Sequence, residues 1–546
     1  MLVEIADRSG LEFVHFNGMS GELFMVEMMG GGAALLDYDN DGDLDVFLVQ
    51  GEMLGTGKTI ADATIAPRHP LPLTDRLYRN DLGWGADGRR TLSFTDVTDH
   101  AVPESVGYGM GVASADFDND GWPDLYVTNY GPNQLLRNNR DGTFSDVTRA
   151  AGVGDEGWSV SAAFLDYDRD GWLDLYVGNY LEYGLGGRTA CATVTGAPDY
   201  CSPLNYPPQK DSLFRNLGDG TFRDLSLPAG LEAAFGPALG VVAADLNGDR
   251  WPDLYVANDA TENQLWINQT DGTFVDEAVL AGCAVNEAGI PEGSMGIAVA
   301  DFDGDRTLDL FMTHIAQETN TLYLNSGRAV FRETTRRSRL GVPSRPFTGF
   351  GTAAVDLDLD GWEDLYVANG AVQKLPALVT AGDPYPLRQR DAVFQNTGAA
   401  TFEELDEEGA LGAPQVSRGV ADGDLDRDGD EDLVVVDSAA PVRLYRNDRP
   451  SSGVWLGIRA LADRQRFHDA LGARVVAVTT GGRRLLRRVA TDGSYASASA
   501  PGVLVGAGQD ESFAAVSVEW PAGGRTVWEG PPPGRTLIVA RDRTGG

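Results

Sequence analysis

A nine-residue, aspartate-rich pattern recurs seven times along the chain and constrains its fold more than any other feature. The first copy reads Asp-Tyr-Asp-Asn-Asp-Gly-Asp-Leu-Asp over 37–45, and an apolar run follows it, as it follows every other copy. The remaining copies begin at Asp116, Asp166, Asp245, Asp301, Asp356 and Asp424; those at Asp245 and Asp301 carry their glycine two positions early. A unit that recurs in this way predicts a repeat architecture.

The residues around each copy predict four short β-strands. In the second copy a strand of small residues (109–115) precedes the aspartates, an apolar strand follows them, and Asp-Gly at 141–142 predicts a hairpin. No helical periodicity lies between these strands. Four-stranded sheets repeated seven times predict an all-β fold, a seven-bladed β-propeller, with an open solenoid as the weaker alternative.

The start of the chain predicts how the ring closes. Residues 2–11 align with 144–153, which include the outermost strand of a repeat, whereas the seventh repeat has no such strand of its own. We therefore predict that the N-terminal strand completes the last sheet, which leaves no free sheet edge. The predicted propeller spans 1–449.

Each aspartate-rich loop has the composition of a calcium site. Carboxylates at positions 1, 3, 5 and 9 converge on one point and position 7 adds a backbone carbonyl, a set of hard oxygen ligands that favours calcium over zinc or copper. An EF-hand is excluded because position 12, which should be a bidentate glutamate, is apolar in every copy. We predict up to seven Ca²⁺ ions. The predicted ligands are Asp37, Asp39, Asp41, Asp43 and Asp45; Asp116, Asp118, Asp120, Trp122 and Asp124; Asp166, Asp168, Asp170, Trp172 and Asp174; Asp245, Asn247, Asp249, Trp251 and Asp253; Asp301, Asp303, Asp305, Thr307 and Asp309; Asp356, Asp358, Asp360, Trp362 and Asp364; and Asp424, Asp426, Asp428, Asp430 and Asp432.

Charge and cysteine content narrow the partners and the compartment. The chain carries 81 acidic and 43 basic residues, a net charge of −38, which disfavours nucleic acid and anionic membranes as partners. It has no run of eighteen apolar residues, so membrane insertion is not expected. No signal peptide is visible, so the protein is cytoplasmic if Met1 is the native start, and extracellular or periplasmic if a leader was removed. Cys191 and Cys201 could pair in an oxidising compartment, and Cys283 is left over.

The seven repeats resemble the FG-GAP/VCBS repeats of integrin α-subunit propellers and of many bacterial surface proteins. From about residue 451 the aspartate-rich repeat stops. Segments with the alternation typical of β-strands follow, such as Val-Trp-Leu-Gly-Ile at 454–458 and Val-Glu-Trp-Pro at 518–521. This part resembles the ASPIC/UnbV domain of the cartilage acidic protein family, which implies a small β-rich domain over 450–546. The resemblance also implies that Ca²⁺ binds at one face and ligands at the other. The arginine-rich run at 483–488 is interpreted as a solvated hairpin, with a contact patch as the alternative.

One polar residue stands thirteen positions after the first aspartate of each loop, at the end of the apolar strand. These residues are Gln50, Asn129, Asn179, Asn258, His314, Asn369 and Asp437. They are predicted to lie at the face away from the calcium loops and to ring the mouth of a central channel as ligand-binding residues, unless they only cap turns. His314 and Asp437 are titratable and are therefore the candidates for catalysis.

Three insertions, 51–75, 181–210 and 371–390, begin just after this same position. They should build a wall over that face, with aromatic surface from Tyr180, Tyr183, Tyr200, Tyr206 and Tyr385. The expected ligand is a protein, a glycan or a small organic molecule.

Two functions remain open. The first is a calcium-stabilised recognition protein. The alternative is a calcium-dependent, otherwise cofactor-free enzyme of bacterial natural-product metabolism (enediyne-like or polyketide-like), because relatives with ASPIC/UnbV domains occur in such pathways. The sequence leaves the ligand, any reaction and the oligomeric state undetermined.

Overall fold

A computed structural model describes residues 2–85, 90–104, 107–186, 189–193, 196–405, 411–448, 453–462, 468–508, 510 and 512–541. The all-β class is confirmed: the described residues up to 448 contain seven four-stranded antiparallel sheets. In order from the first strand to the fourth, sheet 1 contains Ala33–Leu36, Asp45–Leu48, Arg76–Asn80 and Phe94–Asp96; sheet 2, Tyr108–Ala115, Asp124–Tyr130, Gln134–Asn138 and Phe144–Asp146; sheet 3, Ser159–Leu165, Asp174–Asn179, Ser212–Asn216 and Phe222–Asp224; sheet 4, Ala238–Ala244, Asp253–Asn258, Gln264–Asn268 and Phe274–Asp276; sheet 5, Ile297–Ala300, Asp309–Met312, Thr321–Asn325 and Phe331–Glu333; sheet 6, Gly349–Val355, Asp364–Asn369, Ala392–Asn396 and Phe402–Glu404; and sheet 7, Ser417–Gly423, Asp432–Asp437, Arg443–Asn447 and Leu2–Glu4.

The described residues after 453 form two further sheets, which we call the C-terminal module. One contains Val503–Gly506, Trp455–Leu461 and Thr536–Ala540; the other contains Arg484–Arg488, Arg474–Thr479, Phe513–Glu519 and Arg525–Glu529. The predicted boundary at 449/450 lies outside the described residues. Two small ribbons pair Gly83–Trp84 with Arg90–Thr91 and Cys191–Ala192 with Pro198–Asp199. Helices are short: Ala6–Ser9, Thr98–Ala101, Thr148–Ala151, Ala278–Ala281, Gly341–Ser344 and Pro376–Thr380, with 3₁₀ turns at Met25–Met28, Ile60–Asp62, Pro203–Asn205 and Leu231–Ala233. Among the described residues, no helix is both long and apolar enough to cross a membrane.

The N-terminal strand pairs as predicted. Leu2 lies opposite Asn447 and Glu4 opposite Tyr445 in an antiparallel ladder, so that Leu2–Glu4 is the fourth strand of sheet 7. The first strand of each sheet packs against the first strand of the next, and the first strand of sheet 7 packs against that of sheet 1. The sheets therefore follow one another in a closed cycle.

An asparagine at the end of each third strand ties neighbouring sheets together. In sheet 2, the Nδ2 of Asn138 donates 2.8 Å to the carbonyl of Tyr38 in sheet 1. The seven equivalents are Asn80 to Leu425, Asn138 to Tyr38, Asn216 to Phe117, Asn268 to Tyr167, Asn325 to Leu246, Asn396 to Phe302 and Asn447 to Leu357. These bonds run from every sheet to the one before it, including from sheet 1 to sheet 7.

The C-terminal module fills the space inside this cycle. Residues 491–500, here the axial segment, leave the module and hydrogen-bond to the first strands of all seven sheets. In order of sheet, the bonds join Ala33 N to Ser497 Oγ, Val112 N to Ala496 O, Ala496 N to Ser161 Oγ, Ala243 N to Asp492 Oδ2, Ile297 N to Ser494 O, Thr352 N to Ser494 Oγ and Asp422 N to Ser499 Oγ. Backbone groups that would otherwise face an open channel are thus satisfied. An open central channel was the wrong expectation.

The early glycine of the fourth and fifth loops has a conformational reason. Positions 4 and 6 of the loop both have positive φ: Asn119 and Gly121 in sheet 2 have φ of 56° and 91°, and Gly248 and Arg250 in sheet 4 have φ of 83° and 74°. Because both positions need the left-handed region, glycine relieves strain at either one. The seven loops therefore keep one backbone shape despite the displaced glycine.

Candidate functional site

The aspartate loops gather carboxylate oxygens into small groups. Three side chains each bring one oxygen within 4.8 Å of the others in the groups Asp37, Asp39 and Asp41; Asp116, Asp118 and Asp124; Asp166, Asp168 and Asp174; Asp301, Asp303 and Asp309; and Asp356, Asp358 and Asp360. All seven loops connect the first strand of a sheet to its second strand, so they lie at one face of the cycle, here the loop face. The opposite face is the cap face.

Loop 2 illustrates how the backbone holds these side chains. Asp116 accepts the N–H of Asp120 at 2.9 Å and that of Gly121 at 2.7 Å. Asp124 accepts the N–H of Phe117 at 3.1 Å and that of Asn138 at 2.8 Å. Position 5 accepts the N–H of position 7 in every loop, at 2.8–3.3 Å. The carboxylates are thus positioned by the loop itself.

These carboxylates fit a divalent cation. Asp37, Asp166 and Asp356 each have a buried Oδ1 with no hydrogen-bond donor among the described residues. The pKa of Asp116 and of Asp166 is raised to about 7, chiefly by burial; nearby aspartates contribute to this rise and backbone N–H donors oppose it. A charged oxygen group that the protein's own donors do not compensate is the environment in which a hard cation such as Ca²⁺ binds. When bound, Ca²⁺ supplies positive charge at these loops.

Four arginines of the C-terminal module reach loops 1, 4 and 6. Arg459 Nη1 lies 3.8 Å from Asp37, Arg474 Nη1 3.8 Å from Asp245, and Arg487 Nη2 3.6 Å from Asp356. Arg483 Nη1 donates to the carbonyl of Asp360 at 2.7 Å. The arginine-rich run at 483–488 is therefore in part a contact patch, and the prediction of a solvated hairpin was wrong for the buried Arg487.

Loop 4 departs from the others. Its third position is Asn247, whose Nδ2 donates 3.0 Å to Asp249, and Arg474 supplies positive charge beside Asp245. One carboxylate is thereby replaced by an amide and another lies beside a guanidinium. We therefore expect loop 4 to bind a cation more weakly than the other six loops.

The seven polar residues at the strand ends are buried rather than exposed around a channel. The exposed fraction is at most 3% for Gln50, Asn129, Asn179, Asn258, His314, Asn369 and Asp437. The four asparagines of this set each donate Nδ2 to a nearby carbonyl: Asn129 to Pro132, Asn179 to Lys210, Asn258 to Glu262 and Asn369 to Arg390, at 2.8–2.9 Å. Gln50 Oε1 accepts the N–H of Phe16 at 2.6 Å. The geometry is that of the turn-capping alternative.

The two titratable members are enclosed by partners. His314 Nε2 lies 3.1 Å from Ser294 Oγ and 3.7 Å from Glu292 Oε2, and burial lowers its pKa. Asp437 accepts two bonds from Arg443, at 2.6 and 2.7 Å, and Arg443 also contacts Asp391 at 2.7 Å. Both side chains belong to the packed interior.

The insertions pack into a core at the cap face. Tyr180, Tyr183, Tyr200 and Tyr385 are buried together with Met25, Met28, Met29, Tyr108, Trp158, Phe350 and Tyr495. The expected aromatic surface is therefore wrong for these four tyrosines, whereas Tyr206 is half-buried. Cys191 and Cys201, in the second insertion, form a disulfide, and Cys283 is free and buried.

An open groove remains at the edge of the cap face. It has a volume of about 810 Å³ and lies where the second insertion returns to sheet 3. Glu182, Pro208, Lys210 and Asn179 line it, together with Phe235, whose side chain is 42% exposed. The second insertion thus contributes polar and apolar surface at the predicted face, away from the central axis.

Comparison with known proteins identifies both parts of the chain. The model for the FG-GAP-like repeat matches 37–127, 116–177, 195–256 and 245–312, and the model for ASPIC and UnbV matches 463–545. These two matches and the similarity to cartilage acidic protein 1 support assignment of the chain to the cartilage acidic protein-like family. Cartilage acidic protein 1 of Mus musculus is 27% identical over 359 residues, 62% of this chain and 52% of that protein. The Homo sapiens protein is 27% identical over 327 residues, 59% of this chain and 46% of that protein. The chain thus spans about half the length of these relatives.

Solved structures give only distant matches. The BP39L lectin from Burkholderia pseudomallei aligns with a TM-score of 0.40 and 10% identity over 77% of this chain and 97% of that one. An Agrocybe aegerita lectin that recognises non-reducing terminal N-acetylglucosamine aligns with a TM-score of 0.37 and 17% identity over 68% of this chain and 91% of that one.

Proposed function

We propose that this protein is a calcium-stabilised, seven-bladed β-propeller that binds a ligand at the cap face. The single observation that carries the proposal is the repeated loop in which buried carboxylate oxygens, such as Asp37 Oδ1 and Asp166 Oδ1, have no donor among the described residues. The closed cycle of asparagine bonds supports the propeller. A cation at each loop would tie the first strand of a blade to its second.

The proposed compartment lies outside the cytoplasm. The Cys191–Cys201 disulfide is favoured by oxidising conditions, and extracellular calcium modules have millimolar affinities matched to their surroundings. We therefore propose an extracellular or periplasmic binding protein.

Metal analysis tests the calcium proposal. Protein dialysed against millimolar CaCl₂ should retain ~7 Ca²⁺ per chain, with loop 4 the weakest site. Asp166→Asn combined with Asp168→Asn should remove about one ion, because two carboxylates of one loop lose their charge. Asp219→Asn, at an exposed turn of the same sheet, is the matched control and should leave the count unchanged. A chain that retains no Ca²⁺ would contradict the proposal.

The proposed ligand site is the groove beside Phe235. Carboxylates of Asp155 and Glu182, the ammonium group of Lys210 and one exposed aromatic ring can hydrogen-bond and stack, which suits a glycan. We place the ligand in this groove rather than in a central channel because the axial segment occupies the axis. The enzyme alternative is not proposed, since its candidates His314 and Asp437 are buried and paired.

A glycan array on the calcium-loaded protein tests this site. Phe235→Ala should remove the signal of any bound glycan because the stacking surface is lost. Leu227→Ala, a second exposed apolar side chain at 68% exposure, is the control and should bind as the wild type does. Binding that persists in Phe235→Ala would exclude the groove, and a protein ligand captured through the same residue would exclude a glycan.

A further inference from the structure

A partly open cavity lies between the C-terminal module and the loop face, away from the groove proposed above. Its volume is about 530 Å³, within the range of about 300–1,000 Å³ that is usual for sites of small molecules. Leu36 and Leu44 of sheet 1 form one side, and Trp455, Ile458 and Leu504 of the module form the other. Most of the wall is apolar, so the cavity favours an organic molecule over water or a bare ion.

The inner end of the cavity carries negative charge. Asp422 and Glu431 of sheet 7 line it, and neither forms an ion pair with a described basic residue. Asp422 accepts a hydrogen bond from Ser499 Oγ at 2.7 Å, and Glu431 accepts one from the N–H of Asp356 at 3.3 Å. The nearby guanidinium of Arg487 already contacts Asp356 and Glu363. The one guanidinium near these two carboxylates is therefore shared among Glu431, Asp356 and Glu363.

Two of the three arginines that line the cavity are already paired with aspartates. Arg427 lies 3.1 Å from Asp43, and Arg459 lies 3.0 Å from Asp469. Arg535 is exposed at the rim. These arginines therefore leave the charge at the inner end uncompensated.

Calcium does not reverse the sign of this charge. Asp37, Asp116 and Asp424, the first aspartates of loops 1, 2 and 7, also line the cavity. Loops 1 and 7 contain five aspartates each and loop 2 contains four, so each loop keeps a net negative charge after it binds one Ca²⁺. The cavity is negative with the loops filled or empty.

We propose that this cavity binds a small apolar organic molecule that carries a protonated amine. The apolar body lies against Leu36, Ile458 and Leu504, with the ring of Trp455 available to the cation. The ammonium group lies at Asp422 and Glu431. The site is distinct from the cap-face groove in position and in ligand class.

Three naphthalene probes of the same size test the charge preference. They are 1-naphthylmethylamine, 1-naphthylmethanol and 1-naphthoic acid, titrated by calorimetry into the full chain in saturating CaCl₂. The amine should bind about tenfold more tightly than the alcohol, and the acid should not bind measurably. Equal affinity for the three probes, or binding of none, would overturn the proposal.

Variants locate the binding. Asp422→Asn with Glu431→Gln should reduce the preference for the amine to less than about twofold while the alcohol binds as before. Thr536→Trp, an exposed position that lines the cavity, should block all three probes. Glu403→Gln, an exposed carboxylate outside the cavity, is the control. Amine binding that survives Thr536→Trp would place the ligand elsewhere.

Folding and metal content are measured on each variant by near-ultraviolet circular dichroism and metal analysis. A variant that loses Ca²⁺ bears on the calcium proposal. A variant that keeps its Ca²⁺ but loses the amine preference bears on the cavity alone.

Discussion

The two faces of the molecule are stabilised by different chemistry. The loop face repeats one short motif in seven sheets and collects carboxylates whose charge needs a cation from outside the chain. The cap face is built from segments that occur once, and its core is apolar, with the buried Arg418 as its main charge. Arg418 donates to the carbonyls of Met28 at 2.5 Å and Gly370 at 3.1 Å and lies 3.8 Å over the ring of Phe350. One face thus depends on a cation from solution, whereas at the other the buried guanidinium of Arg418 is bonded by carbonyls of the chain itself.

Chelation is the strongest way to separate the faces. With EGTA in place of millimolar CaCl₂, we expect the melting temperature to fall by more than about 10 °C, because each of up to seven sites filled at about ten times its Kd contributes about 1.4 kcal/mol. Differential scanning calorimetry measures this effect, and MgCl₂ at the same concentration should restore little of it. An unchanged melt would mean that the loop face does not depend on cations.

The axial segment provides the next largest effect because Tyr495 connects the module to the cap face. This side chain is fully buried, packs edge-on against Phe350 at 5.0 Å and donates to the carbonyl of Met29 at 2.8 Å. Tyr495→Ala should cost about 3–5 kcal/mol of unfolding free energy in saturating Ca²⁺. Tyr495→Phe keeps the ring and should cost about 1 kcal/mol. Equal melting of the two variants would show that the cap face does not need this anchor.

What could be predicted from the sequence differs between the repeated loops and the segments that occur only once. The loops, the sheet order and the pairing of Leu2–Glu4 with the last sheet could be predicted because their signals lie within one repeat or in its missing strand. The axial segment could not, since residues 491–500 carry nothing of the repeated motif and their partners lie in seven different sheets. The burial of Tyr180 and Tyr385 was missed for a related reason: a long loop with aromatic residues reads the same whether it packs inward or faces solvent.

The asparagine cycle was missed although its signal was available. Asn138 and Asn447 are each the last residue of the third strand in their sheets, and the other five asparagines occupy the same position in theirs. Such a repeated amide indicates a repeated partner, but the partner is a carbonyl of the neighbouring sheet, which no single repeat contains.

Lowering the pH should destabilise the folded protein through His15, which lies at the cap face. Burial, and then the charge of Arg418, lower the pKa of His15 from 6.5 to about 3. The folded state therefore keeps this imidazole neutral while the unfolded state takes up a proton below pH 6.5, so stability is lost as the pH falls toward 3. At pH 4.5 the loss should be about 2–3 kcal/mol.

The measurement compares wild type with His15→Asn by urea unfolding between pH 7 and 4.5 in constant Ca²⁺. The difference in unfolding free energy between the two proteins should change by that amount in favour of the variant. His100→Asn, at an exposed position, should show no such change. If the difference in unfolding free energy between wild type and His15→Asn did not change with pH, the loss of stability in acid could not be assigned to His15.

A single sheet-to-sheet amide should have the smallest effect. Asn216 donates to the carbonyls of Phe117 and Leu173 at 2.9 and 3.0 Å, and Asn216→Ala leaves both without that donor. We expect a loss of about 1–2 kcal/mol with the Ca²⁺ count unchanged. The exposed Asn205→Ala is the control. Loss of Ca²⁺ from loops 2 and 3 in Asn216→Ala would instead show that the amide helps to shape the cation sites.

The position of the axial segment has a consequence for biosynthesis. A ribosome makes the chain from residue 1 onward, so all seven sheets have emerged before residues 491–500 become available to them. Until then, the main-chain groups of the first strands that the segment will bond, such as those of Ala33 and Ile297, must be hydrated. The axis is therefore closed only after all seven sheets have been synthesised, and a chain shortened before residue 491 would leave these main-chain groups hydrated.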